Sequence, residues 1–192
     1  PSVNDAGRIE AHAGAQLTIS DGEGSTTIDL YSDAGLAAVS ALWTKLAVHH
    51  RLMYRAHWLG VQIIQLPTDI LVLQELIWLI RPDVVVECGV AHGGSLVLYA
   101  SILELIGQGR VVGVAVDIRA HNRAIIEAHP LAERIILIEG SSIAPATVGA
   151  VRQEVGADGN VMVLVDSNHT TAHVYAELQA YGDLVTPGSY FI

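Results

Sequence analysis

The hydrophobic positions of this chain follow two spacings in alternation, one typical of buried strands and one typical of helices. Short apolar runs rich in Val and Ile predict strands that are buried on both faces. They lie at 84–86, 110–117, 134–140, 161–166 and 189–192. Apolar residues at helical spacing predict helices between them, at 96–106, 121–130, 146–155 and 173–181. This alternation predicts a parallel, doubly wound, Rossmann-like α/β sheet with right-handed crossovers.

The N-terminal part of the chain has a different composition. Residues 1–30 are rich in Gly, Ser, Thr and Asp. The segments 17–19 and 26–30 could pair as a small hairpin around 21–24, and a partly ordered arm is an equal alternative. Because the sequence shows neither an internal repeat nor a linker, we expect an arm over 1–30 and a single domain over 31–192.

Two helices are predicted ahead of the first buried strand. The Ser-Asp pair at 32–33 predicts the start of a helix that ends between 50 and 54. The Thr-Asp pair at 68–69 predicts the caps of a strongly apolar helix that ends at Ile80, just ahead of a proline. The segment 57–67 is too short and too interrupted for a helix, so we expect a covering loop there.

Composition and charge narrow the class of protein. Hydrophobic residues make up 51% of the chain and charged residues 16%. This balance fits a buried sheet, and we expect a homo-oligomer that uses the apolar faces of the N-terminal helices around 36–46. The formal net charge of −10 argues against a nucleic-acid partner. We expect no membrane partner and a cytoplasmic location, because no apolar run is long enough to span a bilayer and no signal segment is evident.

The single cysteine, Cys88, excludes an internal disulfide and is consistent with a reducing compartment. Because it lies at the end of a predicted buried strand, an inert core thiol is favoured over a nucleophile.

A glycine-rich segment joins the first buried strand to the next helix. Gly89 would let the chain turn sharply and let a ligand approach the backbone closely. Gly93, Gly94 and Ser95 would present free N–H groups at the positive end of the helix dipole. Strand, glycine turn and helix in this order are typical of α/β folds that bind small anionic or nucleotide ligands.

The acid ahead of this turn, Glu87, further restricts the class of ligand. A carboxylate there would repel the pyrophosphate of a dinucleotide, and the glycines lack the Gly-x-Gly-x-x-Gly spacing of a nicotinamide-binding loop. A carboxylate at this position suits a ligand that carries a positive charge, such as S-adenosylmethionine with its ammonium and sulfonium groups. A tight turn with a solvated glutamate is the alternative. His92, in the same loop, could contact the ligand or cap the helix.

Polar side chains also follow the other strands where each strand ends, at the edge where open α/β sheets bind ligands. Asp117 could bind both hydroxyls of a ribose or cap the next helix. Ser141 and Ser142 could face an adenine edge or cap a helix. Asp166 could hold a divalent metal ion. His169 could take a proton from a substrate hydroxyl, or it could be a structural hydrogen-bonding group.

The sequence resembles the cephalosporin hydroxylase family over about 30–192. The matching motifs occur in the same order, at 58–60, 65–69, 87–96, 117–123, 138–142, 166–170 and 181–188. This resemblance implies a class I methyltransferase that uses S-adenosylmethionine, often with magnesium, and acts on β-lactams in antibiotic biosynthesis or on sugar hydroxyls such as rhamnosyl groups. It implies that Glu87 and Ser95 hold the methionine end of the cofactor, Asp117 the ribose and Asp166 the metal.

The chain departs from the family pattern in two places. Ala115 stands where the family often has an acid, although Asp117 at the ribose position remains. The chain also ends at Ile192, before acidic residues that can complete the metal site and before the final antiparallel hairpin of such a sheet. An open sheet edge there would expose unpaired backbone groups, so we expect a fragment of a longer protein, with a shortened relative as the alternative.

The expected function is therefore a magnesium-assisted O-methyltransferase that transfers a methyl group from S-adenosylmethionine to a hydroxyl of a small secondary metabolite or sugar. The alternative is a non-catalytic partner subunit of a biosynthetic complex, which keeps the cofactor pocket without the metal chemistry. A nicotinamide-dependent dehydrogenase is disfavoured by Glu87 and by the glycine spacing.

Overall fold

A computed structural model describes residues 9–12, 15–22, 24–157 and 159–192. The chain divides into two compact units, Pro1–Leu52 and Met53–Ile192. The boundary falls after the first long helix, whereas the change in composition suggested a boundary ahead of it. The reason is that this helix contacts the strand that precedes it.

Three short strands form an antiparallel sheet in the N-terminal unit, in the order β1-β2-β3. They are β1 Ile9–His12, β2 Gln16–Asp21 and β3 Gly24–Asp29. The predicted hairpin of β2 and β3 is confirmed, and β1 adds a third strand. Helix α1 spans Asp33–His49. Its predicted start is confirmed, because the Ser32 hydroxyl accepts a hydrogen bond of 3.1 Å from the Gly35 N–H.

A small antiparallel hairpin lies near the start of the second unit, formed by β4 His57–Trp58 and β5 Val61–Gln62. Leu59 and Gly60 between them both have positive φ, at 46° and 90°, as a two-residue type I′ turn requires. The prediction of an irregular loop over 57–67 is therefore wrong for its first half.

Helix α2 spans Pro67–Ile80. Thr68 and Asp69 do not cap it, contrary to the sequence-based prediction, because the helix starts ahead of them. Leu66 is the N-cap residue, and Pro67 occupies the first turn, where its missing N–H would have no partner in any case. The C-cap residue that follows Ile80 is Arg81, which adopts a left-handed conformation ahead of Pro82.

The centre of the second unit is a parallel sheet in the order β8-β7-β6-β9. Its strands are β6 Val84–Cys88, β7 Arg110–Ala115, β8 Ile135–Glu139 and β9 Val161–Val165. Phe191 extends the sheet beyond β9 through a parallel bridge with Val163, so the predicted fifth strand begins there. The crossover helices are α3 Gly94–Ile106, α4 Ala120–Glu127, α5 Pro145–Val155 and α6 Thr171–Tyr181. The doubly wound α/β fold predicted from the sequence is confirmed.

Helices cover both faces of this sheet. Helices α2, α3 and α4 supply buried residues to one face, for example Ile77, Leu98 and Ile126. Helices α5 and α6 cover the other face with Val151 and Tyr181. The chain moves outward from β6 to β7 and β8, and then returns to place β9 on the opposite side of β6. The carboxyl ends of β6 and β9 therefore border the topological switch point, where doubly wound sheets bind their ligands.

Among the helices that the structure describes, none combines the length and the apolar character needed to cross a lipid bilayer.

Candidate active site

The loop after β6 is held tightly against its neighbours. The Gly89 N–H donates a hydrogen bond of 2.8 Å to the carbonyl of Val114 in β7, and the Asp166 N–H donates one of 2.7 Å to the carbonyl of Cys88. Gly89 has φ 117°, and a Cβ atom there would lie 2.4 Å from the Asp166 carbonyl oxygen. Glycine is required here because the backbone of the loop passes so close to the end of β9 that no Cβ atom fits between them.

A first cavity of about 260 Å³ opens between this loop and the ends of β7 and β9. Its lining includes all three loop glycines, His92, Ser95 and Asp166. The first helical hydrogen bond of α3 joins the Val97 N–H to the Gly93 carbonyl. The N–H groups of the three residues before Val97 therefore have no partner within the helix. This end of α3 provides hydrogen-bond donors and a positive dipole end at the wall of the cavity.

Glu87 lies beneath the glycine loop instead of facing the first cavity. Its side chain is 1% exposed. The Ser95 hydroxyl donates to Oε2 at 2.6 Å, and the Tyr99 hydroxyl donates to Oε1 at 3.0 Å. Burial raises the pKa of Glu87 to about 8, against the smaller opposing effect of the two hydrogen bonds. Near neutral pH this group is therefore mostly protonated, and its direct structural role is to orient Ser95.

The solvated glutamate that the sequence left open as an alternative is thus absent. Protein hydroxyls occupy both oxygens of Glu87 in this structure, and the predicted role of Glu87 in holding the cationic end of the cofactor stays a prediction. The carboxyl does border a second cavity, together with Tyr99.

A buried asparagine holds the far side of the glycine loop. Asn122 in α4 is 4% exposed, and its Nδ2 donates a hydrogen bond of 2.8 Å to the carbonyl of Ala91. Ala91 has φ 44°, which is uncommon for a residue with a Cβ atom. The Asn122 Oδ1 lies 3.4 Å from His92 Nδ1. His92 lines the cavity and does not cap α3, whose N-cap residue is Gly93.

Asp117 follows β7 at the rim of the first cavity. It is exposed, and Ala115 and Val116 just before it line the cavity. The N-cap residue of α4 is Arg119, and no side chain caps this helix. Asp117 therefore does not cap the helix, which was the alternative to its predicted ribose-binding role. Its carboxylate makes no hydrogen bond or ion pair with the part of the chain that the structure describes.

Ser141 and Ser142 are not in the lining of the first cavity. Neither serine side chain caps α5, whose N-cap residue is Ala144. Ser142 is 5% exposed and donates a hydrogen bond of 2.5 Å to Glu177 Oε1. Its carbonyl accepts a hydrogen bond from the Tyr181 hydroxyl. In this conformation Ser142 has a packing role, and the cofactor-binding role predicted for both serines stays a prediction.

Glu177 was not singled out by the sequence, and it connects two of the loops at this edge. It lies on α6 and is fully buried. Its Oε1 accepts a second hydrogen bond of 2.6 Å from Ser167, which lines the first cavity, and lies 3.3 Å from His173 Nε2. A single carboxylate thus fixes the loop after β8 and the loop after β9. The sequence offered one signal, an acid at a position of α6 that faces the sheet.

Asp166 and His169 lie together after β9, as the sequence predicted. His169 Nε2 is 2.9 Å from Asp166 Oδ1, and both side chains are exposed. Asp166 lines both the first and the second cavity, whereas His169 lines neither. Over residues 9–12, 15–22, 24–157 and 159–192, no three His, Cys, Asp or Glu side chains come close enough to hold a metal ion together.

The fold and the cavity at its switch point define the class, a Rossmann-like α/β protein of the methyltransferase type. A CmcI structure described as its Mg–SAM form superimposes with a TM-score of 0.56 at 24% identity, over 72% of this chain and 56% of that chain. An O-methyltransferase from Bacillus cereus in complex with SAH gives a TM-score of 0.52 at 22% identity, over 79% of this chain and 64% of that chain.

Residues 50–192 match the family described as "Rhamnosyl O-methyltransferase/CmcI". The chain belongs to this family, and the resemblance found in the motifs is confirmed. Rhamnosyl O-methyltransferases from Mycobacterium leprae (strain TN) and Mycobacterium tuberculosis (strain ATCC 25618 / H37Rv) are each 30% identical to it. Each alignment covers 70% of this chain, and 58% and 54% of the two relatives respectively. The chain thus spans a little over half the length of these relatives.

Proposed function

We propose that this chain carries the S-adenosylmethionine-binding part of an O-methyltransferase that acts on a hydroxyl of a small metabolite or sugar. The observation that carries the proposal is the first cavity, at the switch point of the sheet, where the N-terminus of α3 and the oriented Ser95 meet. Membership of the Rhamnosyl O-methyltransferase/CmcI family supports the same activity and does not favour the alternative of a non-catalytic subunit.

The residues of the first cavity fit the parts of S-adenosylmethionine. The free N–H groups at the start of α3 suit its carboxylate, since anions bind at helix N-termini. The unpaired carboxylate of Asp117 at the rim suits the two ribose hydroxyls. These two features recognise an anion and a diol on one molecule.

Asp166 would also hold a magnesium ion. Magnesium usually takes one or two protein carboxylates and keeps several waters, so the exposed Asp166 would be one of its anchors. When bound, the ion would stabilise negative charge on the acceptor oxygen. His169, hydrogen-bonded to Asp166, would take the hydroxyl proton, and Asp166 would stabilise the resulting imidazolium.

In the transfer, S-adenosylmethionine supplies the methyl group: the acceptor oxygen forms the new C–O bond while the S–C bond breaks with its electron pair to sulfur. The protein's own contribution is mostly positioning. The loop of residues 89–95 would hold the cofactor in place. Asp166, at the end of β9, lies beside this loop. The products are a methyl ether, S-adenosylhomocysteine and the proton.

Calorimetry tests this function on the purified chain. S-adenosylmethionine should bind and NAD should not, and Asp117→Asn should weaken binding about tenfold because a charge-assisted hydrogen bond is lost. Asp166→Asn in an active, metal-supplemented preparation should reduce turnover far more than cofactor affinity. Preferential binding of NAD would refute the methyltransferase function. Activity that is unchanged by EDTA would refute the metal role and leave His169 as the principal catalytic group.

The acceptor is proposed to be a small molecule, and the net charge of −10 continues to argue against a nucleic-acid substrate. A homo-oligomeric state and a cytoplasmic location stay predictions.

A further inference from the structure

A second cavity of about 480 Å³ adjoins the first one. The two share three lining residues, Ile64, Gln65 and Asp166. The walls of the second cavity are mostly apolar side chains of α2 and β9, including Val72 and Leu164. Its polar side chains are Gln65 and Asp166, which it shares with the first cavity, Glu87 of β6, Tyr99 of α3 and Asp69 of α2.

Gln65 presents an unused hydrogen-bond acceptor at this junction. Its Oε1 is buried and has no hydrogen-bond partner among the described residues. Its Nε2 donates at 3.3 Å to the Tyr99 hydroxyl, which in turn donates to Glu87 Oε1. In this hydrogen-bond pattern Tyr99 accepts from Gln65, so the amide nitrogen lies toward Tyr99 and the carbonyl oxygen is directed away from it.

An unpaired buried carbonyl oxygen is unfavourable, and most such groups in proteins are satisfied by a partner. Here the partner that fits is a hydroxyl or N–H donor of a bound molecule, because Gln65 borders two cavities. The side chain was noticed in the sequence only as part of a family motif. Its position between the cavities follows from the loop that connects β5 to α2.

The lining of the second cavity also restricts the charge of its ligand. Its ionisable members are Asp69, Glu87, Tyr99 and Asp166, and no Lys, Arg or His of the described residues lines it. A carboxylate or phosphate would enter without a cationic side chain to pair with, and desolvation would disfavour it. Mostly apolar walls with a few polar groups and no cationic lining residue suit an uncharged alcohol that has an apolar body.

We propose that the second cavity binds the methyl acceptor, an uncharged alcohol with an apolar body, and that Gln65 Oε1 accepts a hydrogen bond from a hydroxyl of that acceptor. This inference rests on the proposed function, since the first cavity must hold the methyl donor. Gln65 then places the acceptor hydroxyl at the opening between donor and acceptor, next to Asp166.

Binding of p-nitrophenyl α-L-rhamnoside, an uncharged glycoside with an apolar aglycone, tests the proposal in the presence of S-adenosylhomocysteine. Gln65→Met keeps the length of the side chain but removes the acceptor oxygen, and it should raise the Kd of the glycoside at least tenfold. The Kd of S-adenosylhomocysteine should change much less than that of the glycoside, although Gln65 also borders the first cavity. Gln74→Met is the matched control, since Gln74 lies on α2 and lines neither cavity; it should change neither constant.

A second variant locates the ligand independently of Gln65. Val72 lines the second cavity but is 55% exposed, so Val72→Trp can occupy the cavity without disrupting the core. It should abolish glycoside binding and leave S-adenosylhomocysteine binding unchanged. Rhamnose 1-phosphate should bind at least tenfold more weakly than the glycoside to the unmodified chain.

The outcomes separate this inference from the function on which it rests. If S-adenosylhomocysteine does not bind, the proposed function fails. If it binds but the glycoside does not, or if Gln65→Met and Val72→Trp leave glycoside binding unchanged, the acceptor proposal alone is overturned. Equal binding of rhamnose 1-phosphate and the glycoside overturns the assignment of an uncharged acceptor.

Discussion

At the scale of single residues, the site contains two buried carboxyl groups with different surroundings. Glu87 accepts hydrogen bonds from Ser95 and Tyr99 on separate oxygens, and Glu177 accepts those from Ser142 and Ser167 on a single oxygen. The other oxygen of Glu177 is buried and lacks a partner within the described part of the chain. Both groups orient serines at the sheet edge that borders the cavities.

Glu87 makes stability depend on pH. Its folded-state pKa of about 8 lies above the ordinary value of 4.5, so the folded state holds a proton that the unfolded state has lost between these two values. The free energy of unfolding should therefore fall as pH rises from about 5 to 8, by at most about 5 kcal/mol for a shift of this size, and level off above pH 8. Glu87→Gln should remove most of this slope, measured by urea denaturation at several pH values without cofactor.

The control for this prediction is Glu75→Gln, which changes an exposed carboxylate on α2. It should keep the slope of the unmodified protein. An identical slope in Glu87→Gln would show that Glu87 ionises normally in the folded state.

Glu177 should be important for stability. Glu177→Ala leaves the hydroxyls of Ser142 and Ser167 without their shared acceptor in a buried position, so we expect a loss of about 3 kcal/mol of unfolding free energy. Cofactor affinity should also fall, because Ser167 lines the first cavity. Glu75→Ala is the control and should change stability by less than about 0.5 kcal/mol. A Glu177→Ala protein as stable as the control would contradict the network.

At the scale of elements, the β6–α3 turn depends on the close approach of two strand ends. Gly89 was predicted to let a ligand approach the backbone, but the atoms nearest to a Cβ at Gly89, and also at Gly94, belong to the protein itself. They are the carbonyls of Asp166 and Gln62, at 2.4 Å and 2.3 Å. The turn is therefore part of the packing between β6, β9 and β5, and the cavity forms beside it.

Gly89→Ala should accordingly destabilise the fold, by at least about 2 kcal/mol, because a positive φ and a backbone clash add together. Gly149→Ala is the matched control. Gly149 lies inside α5 with no atom near the position of a Cβ, so alanine should stabilise by about 0.5–1 kcal/mol through its higher helix propensity. Thermal denaturation of both variants measures the difference. Equal melting temperatures would contradict the close approach.

At the scale of the whole molecule, α1 carries an exposed apolar stripe. Leu36 is 67% exposed, Val39 41%, Trp43 48% and Leu46 43%, and they follow one another at three- or four-residue spacing. An apolar face of this kind on a helix indicates a contact with another surface. The predicted homo-oligomer would place it between subunits.

Light scattering at micromolar concentration should therefore show a mass above that of one chain. Trp43→Glu should shift the protein toward the monomer, because a charge in a buried apolar contact is unfavourable. Lys45→Glu, at an exposed position of the same helix, is the control and should leave the mass unchanged. A monomeric unmodified protein would refute the prediction.

The amino-acid sequence by itself determined the alternation of strands and helices, because apolar periodicity is a local property of each segment. It also determined which polar residues follow the strands, and hence that Glu87, Asp117, Asp166 and His169 come to the same edge of a parallel sheet. Asp166 and His169 were expected in one short segment after a strand, and the structure adds the hydrogen bond between them.

Only the tertiary structure decided which of these polar groups face a cavity and which are buried. A strand residue can be exposed at the end of a sheet or covered by the next helix, and in Glu87 the cover comes from Tyr99, twelve residues later in α3. Gln65 and Glu177 each have a partner that lies tens of residues away along the chain, at separations of 34 for Gln65–Tyr99 and 35 for Ser142–Glu177. Such contacts depend on the crossovers that fold the sheet, and no local pattern records them.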